Sequence, residues 1–242
     1  MEYQISIAIR TYNEEKHLGQ VLESLQNQTY RNFEILILDS GSTDRTREIA
    51  QAYGIRVDRI PKAAFNYSAA SNRLVESAGG DIVCFLSGHS VPVRDTYLQE
   101  LNDVFQNSFV GGCYGDVIAL PDGSLTEKAF HRLGYLKNKL LHKETGMELE
   151  DTIHPGIFSC CNAAARRELL RKHPFAEALG KGGEDIEVAY RIIRDGYKIA
   201  RVPELLVMHS HGKPFFGFVK EYLGWKRMWR DVLAYIRAQE EA

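Results

Sequence analysis

This chain has no surplus of basic charge: 30 Lys and Arg stand against 32 Asp and Glu in 242 residues, a formal net of −2. A protein whose main partner is nucleic acid ordinarily carries a basic excess, so that class is set aside. No run approaches the ~20 apolar residues of a membrane span. Met1-Glu2-Tyr3-Gln4 is acidic where a secretory leader would be basic. Cysteine is scarce: Cys84, Cys113, Cys160 and Cys161 show no metal-ligand spacing, and two are adjacent. They read as small buried hydrophobes in a reducing cytoplasm. Internal repeats, low-complexity tracts and Gly/Ser linkers are missing too. The fingerprint G-x-G-x-x-G does not follow the first strand and no Walker A loop occurs, which disfavours nicotinamide hydride transfer and P-loop ATP hydrolysis. The remainder, 44% apolar and 26% charged, is a globular composition of a length that suits one α/β domain.

Two periods alternate through the first half. Tyr3 to Arg10 carries Ile5, Ile7 and Ile9 and reads as a strand, and Leu18, Val21, Leu22 and Leu25 recur at helical spacing. Phe33 to Leu38 is nearly all apolar, as in a strand covered on both faces. It ends in Asp39-Ser40-Gly41-Ser42-Thr43-Asp44, a turn from which Ser42 is expected to cap a helix reaching Tyr53-Gly54. Strands are expected at 55–60 and 82–86 and helices at 68–77 and 95–106. That alternation implies a Rossmann-like sheet with mainly parallel strands. Farther on, a strand over 111–120 precedes a helical stretch rich in Lys and His, and 145–154 reads as a loop. A short strand over 157–164, a helix from Gly183 to Arg194, a last strand over 197–202 and a long tail helix over 214–238 complete the pattern.

Ligands of open parallel sheets bind beyond the carboxyl ends of the strands. That rule selects Thr11-Tyr12-Asn13-Glu14, Asp39-Ser40, Ser87-Gly88-His89 and the segment 183–185. Asp39 suits a hydrogen bond to a base or ribose and equally suits a turn cap. Glu184 and Asp185 suit proton transfer and equally suit the positive end of a helix. In the tail, Phe218, Tyr222, Trp225 and Trp229 form one aromatic stripe among Lys220, Lys226, Arg227 and Arg230. The stripe fits packing on the sheet or on a second copy in a homodimer, or a peripheral membrane contact.

The run Ser6-Ile7-Ala8-Ile9-Arg10-Thr11-Tyr12-Asn13-Glu14-Glu15, the sequel Phe33 to Asp44, and Gly183-Glu184-Asp185-Ile186-Glu187 with Arg191 and Gly196-Tyr197-Lys198-Ile199 resemble family 2 glycosyltransferases. Phe85-Leu86-Ser87, Pro174-Phe175 and Val207-Met208-His209-Ser210-His211 look most like the bacterial rhamnosyltransferases among them. The resemblance implies a single GT-A domain with a mixed, mainly parallel sheet flanked by helices, and inverting transfer of a sugar from a nucleotide diphosphate, with dTDP-rhamnose or a UDP-hexose as donor. The acceptor would be a saccharide or lipid-linked hydroxyl in cell-surface polysaccharide or glycolipid synthesis, reached from the cytoplasm or the inner face of the membrane. Residues 1–115 would form the nucleotide-sugar half and 116–242 the acceptor and catalytic half. Thr11, Tyr12, Glu14, Asp39, Arg73, Ser87 and His89 would meet the donor; Asp185 would be the base, with Glu184 on acceptor hydroxyls.

One departure stands out. Where the family carries Asp-x-Asp at the end of the fourth strand, sharing a divalent cation with the diphosphate, this chain has Ser87-Gly88-His89. The leaving diphosphate still needs its growing charge neutralised. Either His89 and His209, with or without His211, hold Mn²⁺ or Mg²⁺, or cations such as Arg73, Lys213 or His211 replace the metal. A third reading is a nucleotide-sugar-binding assembly subunit that has lost catalysis. A nucleotidyltransferase would need a Gly-rich basic loop after strand one, which Thr11-Tyr12-Asn13-Glu14 is not.

Overall fold

The computed structural model describes residues 4–141 and 146–241, so the expected strand start at Tyr3 and loop start at Thr145 lie outside it. The chain runs β1 (Ile5–Thr11), α1 (Leu18–Gln26), β2 (Phe33–Asp39), α2 (Thr46–Ala52), β3 (Val57–Arg59), α3 (Tyr67–Ser77), β4 (Ile82–Ser87), β5 (Val91–Pro92) and α4 (Tyr97–Val104). It continues through β6 (Val110–Ile118), α5 (Leu125–Leu141), β7 (Glu148–Glu150), β8 (Asn162–Arg166), α6 (Arg167–Lys172), α7 (Glu184–Arg194), β9 (Lys198–Met208) and α8 (Phe215–Glu240). Strand order is β3-β2-β1-β4-β8-β6-β9-β5, with β7 on β9. β1 to β4 pair in parallel, as the alternation demanded, whereas β8 runs antiparallel to both β4 and β6. The sheet is therefore mixed.

β1 sits in the middle of the parallel set, and its period of two sorts its side chains between two cores. Ile5, Ile7 and Ile9 meet Leu18, Val21, Leu22 and Leu25 of α1 and Leu98 and Leu101 of α4. Ala8, with Leu38 and Phe85, faces the opposite core, built from α3, α6, α7 and α8. Each fully buried Leu or Ile here contributes ~1.5–3 kcal/mol of transfer free energy, so register is strongly specified. A slip of one residue would exchange the faces.

Several expected boundaries shift for identifiable reasons. Ser42 does not cap α2. Its hydroxyl donates to Asp39, and the N–H of Thr46 donates to Asp44 Oδ1 at 3.0 Å instead. The last strand does not stop at Val202. β9 continues through Pro203 to Met208 because its register with β6 jumps between Gly115 and Val117. A bulge can absorb the missing donor of proline, and Gly115 leaves room for it, since a Cβ there would lie 1.7 Å from the Leu205 carbonyl oxygen. Asn162 bridges the gap by donating to the carbonyls of Asp116 and Leu205 at 3.1 and 2.7 Å. Within the expected 145–154 loop, 148–150 is strand β7, paired antiparallel with β9. The strand expected at 157–164 begins only at Asn162.

α8 closes the second core and fixes the start of α7. Gly182 and Gly183 enter α7 at φ +132° and +90°, and a Cβ on Gly183 would sit 2.3 Å from Val232 Cγ2 of α8. Gly196, which ends the same helix at φ +91°, has open space around it. Gly183→Ala therefore combines left-handed strain with a core clash, while Gly196→Ala carries the strain alone, ~1–2 kcal/mol. Thermal unfolding should show at least twice the loss of Tm for Gly183→Ala; equal losses would rule out the α8 clamp.

Candidate active site

Both clusters of chemistry lie beyond the carboxyl ends of β1 and β4. The loop after β1 is laced to the loop after β2. Asn13 N–H donates to Ser42 Oγ at 2.8 Å, Glu14 N–H to Thr46 Oγ1 at 2.7 Å and Glu15 N–H to Asp44 Oδ2 at 3.0 Å. Asn13 takes φ +55° and its side-chain oxygen accepts from Thr43 N–H at 2.9 Å. Asp39 is fully buried. It accepts from Thr11 Oγ1 and from the N–H groups of Gly41 and Ser42. Of the two readings of Asp39, the turn cap is the one this conformation displays. Tyr12 is exposed, with the Lys62 ammonium 4.1 Å from its ring centre and bonded to its hydroxyl.

Arg10 occupies the even face of β1, so it projects toward α3 and α7. Its Nη1 donates to Ser71 Oγ at 2.9 Å and the Tyr67 carbonyl at 3.2 Å, and lies 3.5 Å from Glu184 Oε1. Glu184 is buried at the N-terminus of α7 while Asp185 stays partly exposed. Burial, then the neighbouring Asp185 charge, pushes Glu184 up to about 7, against the pull of Arg10. Burial raises Asp185 too, against the N–H groups of Ile186 (2.8 Å) and Cys160 (3.4 Å) that donate to it. Arg10 was given no role from sequence, though a single Arg in a strand of isoleucines and alanine marks a charge with a partner. Arg73 was expected at the donor; it instead turns to Asp58 at 3.9 Å, because its position on α3 looks toward β3.

The second cluster is imidazole. His89 and His209 stack with ring centres 4.5 Å apart, and His211 meets both edge-on at 5.2 and 4.9 Å. One ligand nitrogen from each falls within 4.8 Å of the others. Glu14 and Ser87 were expected to meet the donor directly. Glu14 is taken by His89 Nδ1, at 3.0 and 2.9 Å from its two oxygens, and Ser87 Oγ lies 3.2 Å from His209 Nδ1. Ser90, not foreseen, lies 3.1 Å from the same nitrogen. Burial, then the neighbouring histidines, holds His209 well below the usual histidine range, and burial lowers His211 as well, so both are neutral donors of lone pairs. The backbone of His211 is pinned by α5: Glu127 closes a capping box with Ser124 (3.0 and 3.2 Å) and accepts the His211 N–H at 3.0 Å. A cleft of about 240 Å³ opens beside the cluster, lined by Asn13, Glu14, His17, His89, Asp122 and His211 among others. Of the alternative cations, Lys213 is paired with Glu221 at 2.7 Å.

The raised Glu184 value has a consequence for stability. Between its ordinary value near 4.5 and about 7, the folded protein keeps a proton that the unfolded chain has released. Folding therefore loses stability as pH rises through that window and stays at the lower level above it, a change of about 3 kcal/mol. Denaturant unfolding from pH 5 to 8 should show Glu184→Gln gaining by about that amount relative to the wild type. A constant difference between the two would refute the raised value.

A family model described as glycosyl transferase family 2 matches residues 6–173. An O-antigen chain rhamnosyltransferase of Salmonella anatum, WbaN, is 29% identical over 221 residues, covering 85% of this chain and 66% of that protein. A second from Salmonella typhimurium, RfbN, is 24% identical over 210 residues, covering 86% and 67%. This chain thus spans about two thirds of the length of these curated relatives. A Pyrobaculum calidifontis mannosyltransferase solved with GDP-Man and Mn²⁺ superposes with a TM-score of 0.67 at 20% identity, over 100% of this chain and 66% of that one. Mycobacterium tuberculosis glucosyl-3-phosphoglycerate synthase, solved with Mn²⁺, UDP and glucosyl-3-phosphoglycerate, gives 0.64 at 25%, over 98% and 79%. The shared architecture is GT-A.

Proposed function

The chain belongs to glycosyl transferase family 2, and from that premise we propose that it moves a sugar from a nucleotide diphosphate to an acceptor hydroxyl in one inverting displacement. The Glu184–Asp185 pair carries this reading: it sits at the start of α7, the buried member is held by Arg10, and the partly exposed member is open to an acceptor. Asp185 takes the proton of the acceptor hydroxyl as that oxygen bonds the anomeric carbon. The bond from that carbon to the diphosphate oxygen breaks, and its electron pair leaves on the diphosphate. Attack opposite the leaving group inverts the centre. A carboxylate whose basicity is raised by burial is a better proton acceptor than an ordinary one. Glu184, kept in place by Arg10, binds acceptor hydroxyls. Thr11, Tyr12 and the Asp39 turn frame the base and ribose, so residues 1–115 serve the donor and 116–242 the acceptor. The rhamnosyltransferase relatives favour dTDP-rhamnose as donor, with UDP-hexoses second.

The leaving diphosphate meets the histidine cluster. Imidazole nitrogens with lone pairs fit a divalent cation, and His89 Nε2 is buried without a hydrogen-bond partner. His89 and His209 would hold the ion, which when bound neutralises charge on the departing diphosphate. Arg73 and Lys213, each turned to a carboxylate, do not support the metal-free alternative.

The acceptor side carries a face suited to a lipid-linked substrate. The tail stripe divides: Phe218 is buried and packs on Phe130 of α5 at 5.0 Å, Trp229 joins the core, and Tyr222 and Trp225 stay exposed. Leu133 on α5 and Phe216 and Leu223 on α8 add exposed apolar surface, 68%, 84% and 53% accessible. Among the described side chains, residues 125–136 and 215–230 hold Lys128, Arg132, Lys220, Lys226, Arg227 and Arg230 against Glu127 and Glu221. A symmetric dimer through this face would oppose like charges, whereas an anionic bilayer complements them. No described helix is long and apolar enough to cross a membrane.

Asp185→Asn should lower nucleotide diphosphate release from dTDP-rhamnose or UDP-glucose by 10²–10⁴-fold and leave donor binding by calorimetry unchanged. Normal turnover by the variant would remove Asp185 as the base, and donor binding without turnover by the wild type would favour the assembly-subunit reading. On vesicles, the wild type should co-sediment with phosphatidylglycerol mixtures and not with pure phosphatidylcholine, and Phe216→Ser with Leu223→Ser should abolish that. Equal binding to both vesicles would refute the basic face.

A further inference from the structure

The three histidines form a donor set unlike the carboxylates they replace, and the difference bears on which ion the site takes. Around the rings the polar contacts are already assigned. Both oxygens of Glu14 engage His89 Nδ1, the Ser87 and Ser90 hydroxyls engage His209 Nδ1, and Glu221 Oε1 lies 3.9 Å from His211 Nε2. A carboxylate can only accept, so Glu14 fixes the proton on His89 Nδ1 and leaves the other ring nitrogen as a lone pair, the arrangement found around metal-bound imidazoles. On His89 that other nitrogen, Nε2, is the buried atom without a partner. Glu14 is held there by the absence of a side chain on Gly88, where a Cβ would come 2.6 Å from Glu14 Cγ. An anion is a poor occupant beside a carboxylate, so the cluster is built for a cation.

We propose that His89, His209 and His211 together form a three-imidazole site that prefers a borderline first-row ion of the Co²⁺, Ni²⁺ or Zn²⁺ kind over Mg²⁺, with Glu14 as the positioning residue for His89. This rests on the metal-assisted reading above and deepens it by adding the third ligand, the role of Glu14 and the class of ion. Hard cations favour oxygen donors, and imidazole favours the later transition ions. Bond lengths of ~2.1 Å place tetrahedral imidazole nitrogens ~3.4 Å apart. Nitrogens now within 4.8 Å of one another reach that spacing by a shift of about 1 Å, within the range of ring rotation. His211 is the most exposed of the three and sits beside the cleft.

Metal-stripped protein titrated with each ion alone separates the outcomes. Calorimetry should give Co²⁺ and Zn²⁺ affinities at least 100-fold tighter than Mg²⁺, and Co²⁺ should develop visible d–d absorption at one ion per chain. His211→Ala should lose that absorption. Glu14→Gln and Gly88→Ala should each weaken Co²⁺ binding 10–100-fold, with thermal unfolding confirming that each variant is folded. Equal affinity for Mg²⁺ and Co²⁺, wild-type Co²⁺ binding by folded His211→Ala, or no binding to folded wild type would overturn the proposal. Transfer of sugar in EDTA by a protein that binds no ion would overturn the site and leave the transferase standing. Selective Co²⁺ binding by a protein that neither binds nor turns over nucleotide sugars would do the reverse.

Discussion

Three side chains leave the end of β1 in different directions, and each must find a partner for the site to exist. Ile9 and Thr11 belong to one face of the strand and Arg10 to the other, so the pleat alone separates Arg10 from Thr11. Arg10 meets the carboxylates of α7, Thr11 meets Asp39, and Glu14, beyond a residue at φ +55°, meets His89. Both faces of β1 are packed, so its register cannot drift without costing the core. That rigidity is transmitted to residues 10–14. The site inherits its precision from the apolar alternation of Ile5, Ile7 and Ile9.

Charge in the carboxylate cluster is balanced locally. Two adjacent acids at a helix start are favoured by the backbone dipole, but burial disfavours ionising both. Arg10 offsets part of that cost, and Glu184 still remains near neutrality at about 7. The two acids therefore differ by environment although adjacent in sequence. Glu184 is enclosed and ion-paired, whereas Asp185 is partly exposed and held by backbone N–H groups. Chemistry that needs one positioned base and one binding group gains from such a difference.

Much of this was legible in the sequence because it is periodic or local. The strands of the parallel half follow from alternating or continuous apolar runs, and the start of α7 at Gly183-Glu184-Asp185 follows from glycine and acids in order. What was illegible depends on contacts far apart in the chain. The meeting of His89 with His209 was expected from the family likeness, but nothing near Glu14 announces its bond to His89, 75 positions on. The last strand was expected to end at Val202, and only the register shift across β6 shows how it continues through Pro203. Arg73 lies 3.9 Å from Asp58, whereas Arg10, on β1, is the cation that faces Glu184. Asp39 was readable both ways, and its carboxylate is buried against the N–H groups of its own turn.

The exchange of Asp-x-Asp for Ser87-Gly88-His89 does more than swap ligands. Carboxylates bound to a divalent ion cancel part of its charge before the diphosphate arrives, whereas neutral imidazoles leave that charge undiminished. The negative group has not vanished; it has moved back one layer, to Glu14 behind His89. There it orients and polarises the ring without neutralising an ion directly, and Gly88 provides the space it occupies. Beside His209 Nδ1 stand only the uncharged hydroxyls of Ser87 and Ser90. An ion held by this set would present more of its charge to the leaving oxygen, which is where charge develops as the glycosidic carbon is released. Loss of the two acids is thus compatible with stronger, not weaker, stabilisation of the leaving group.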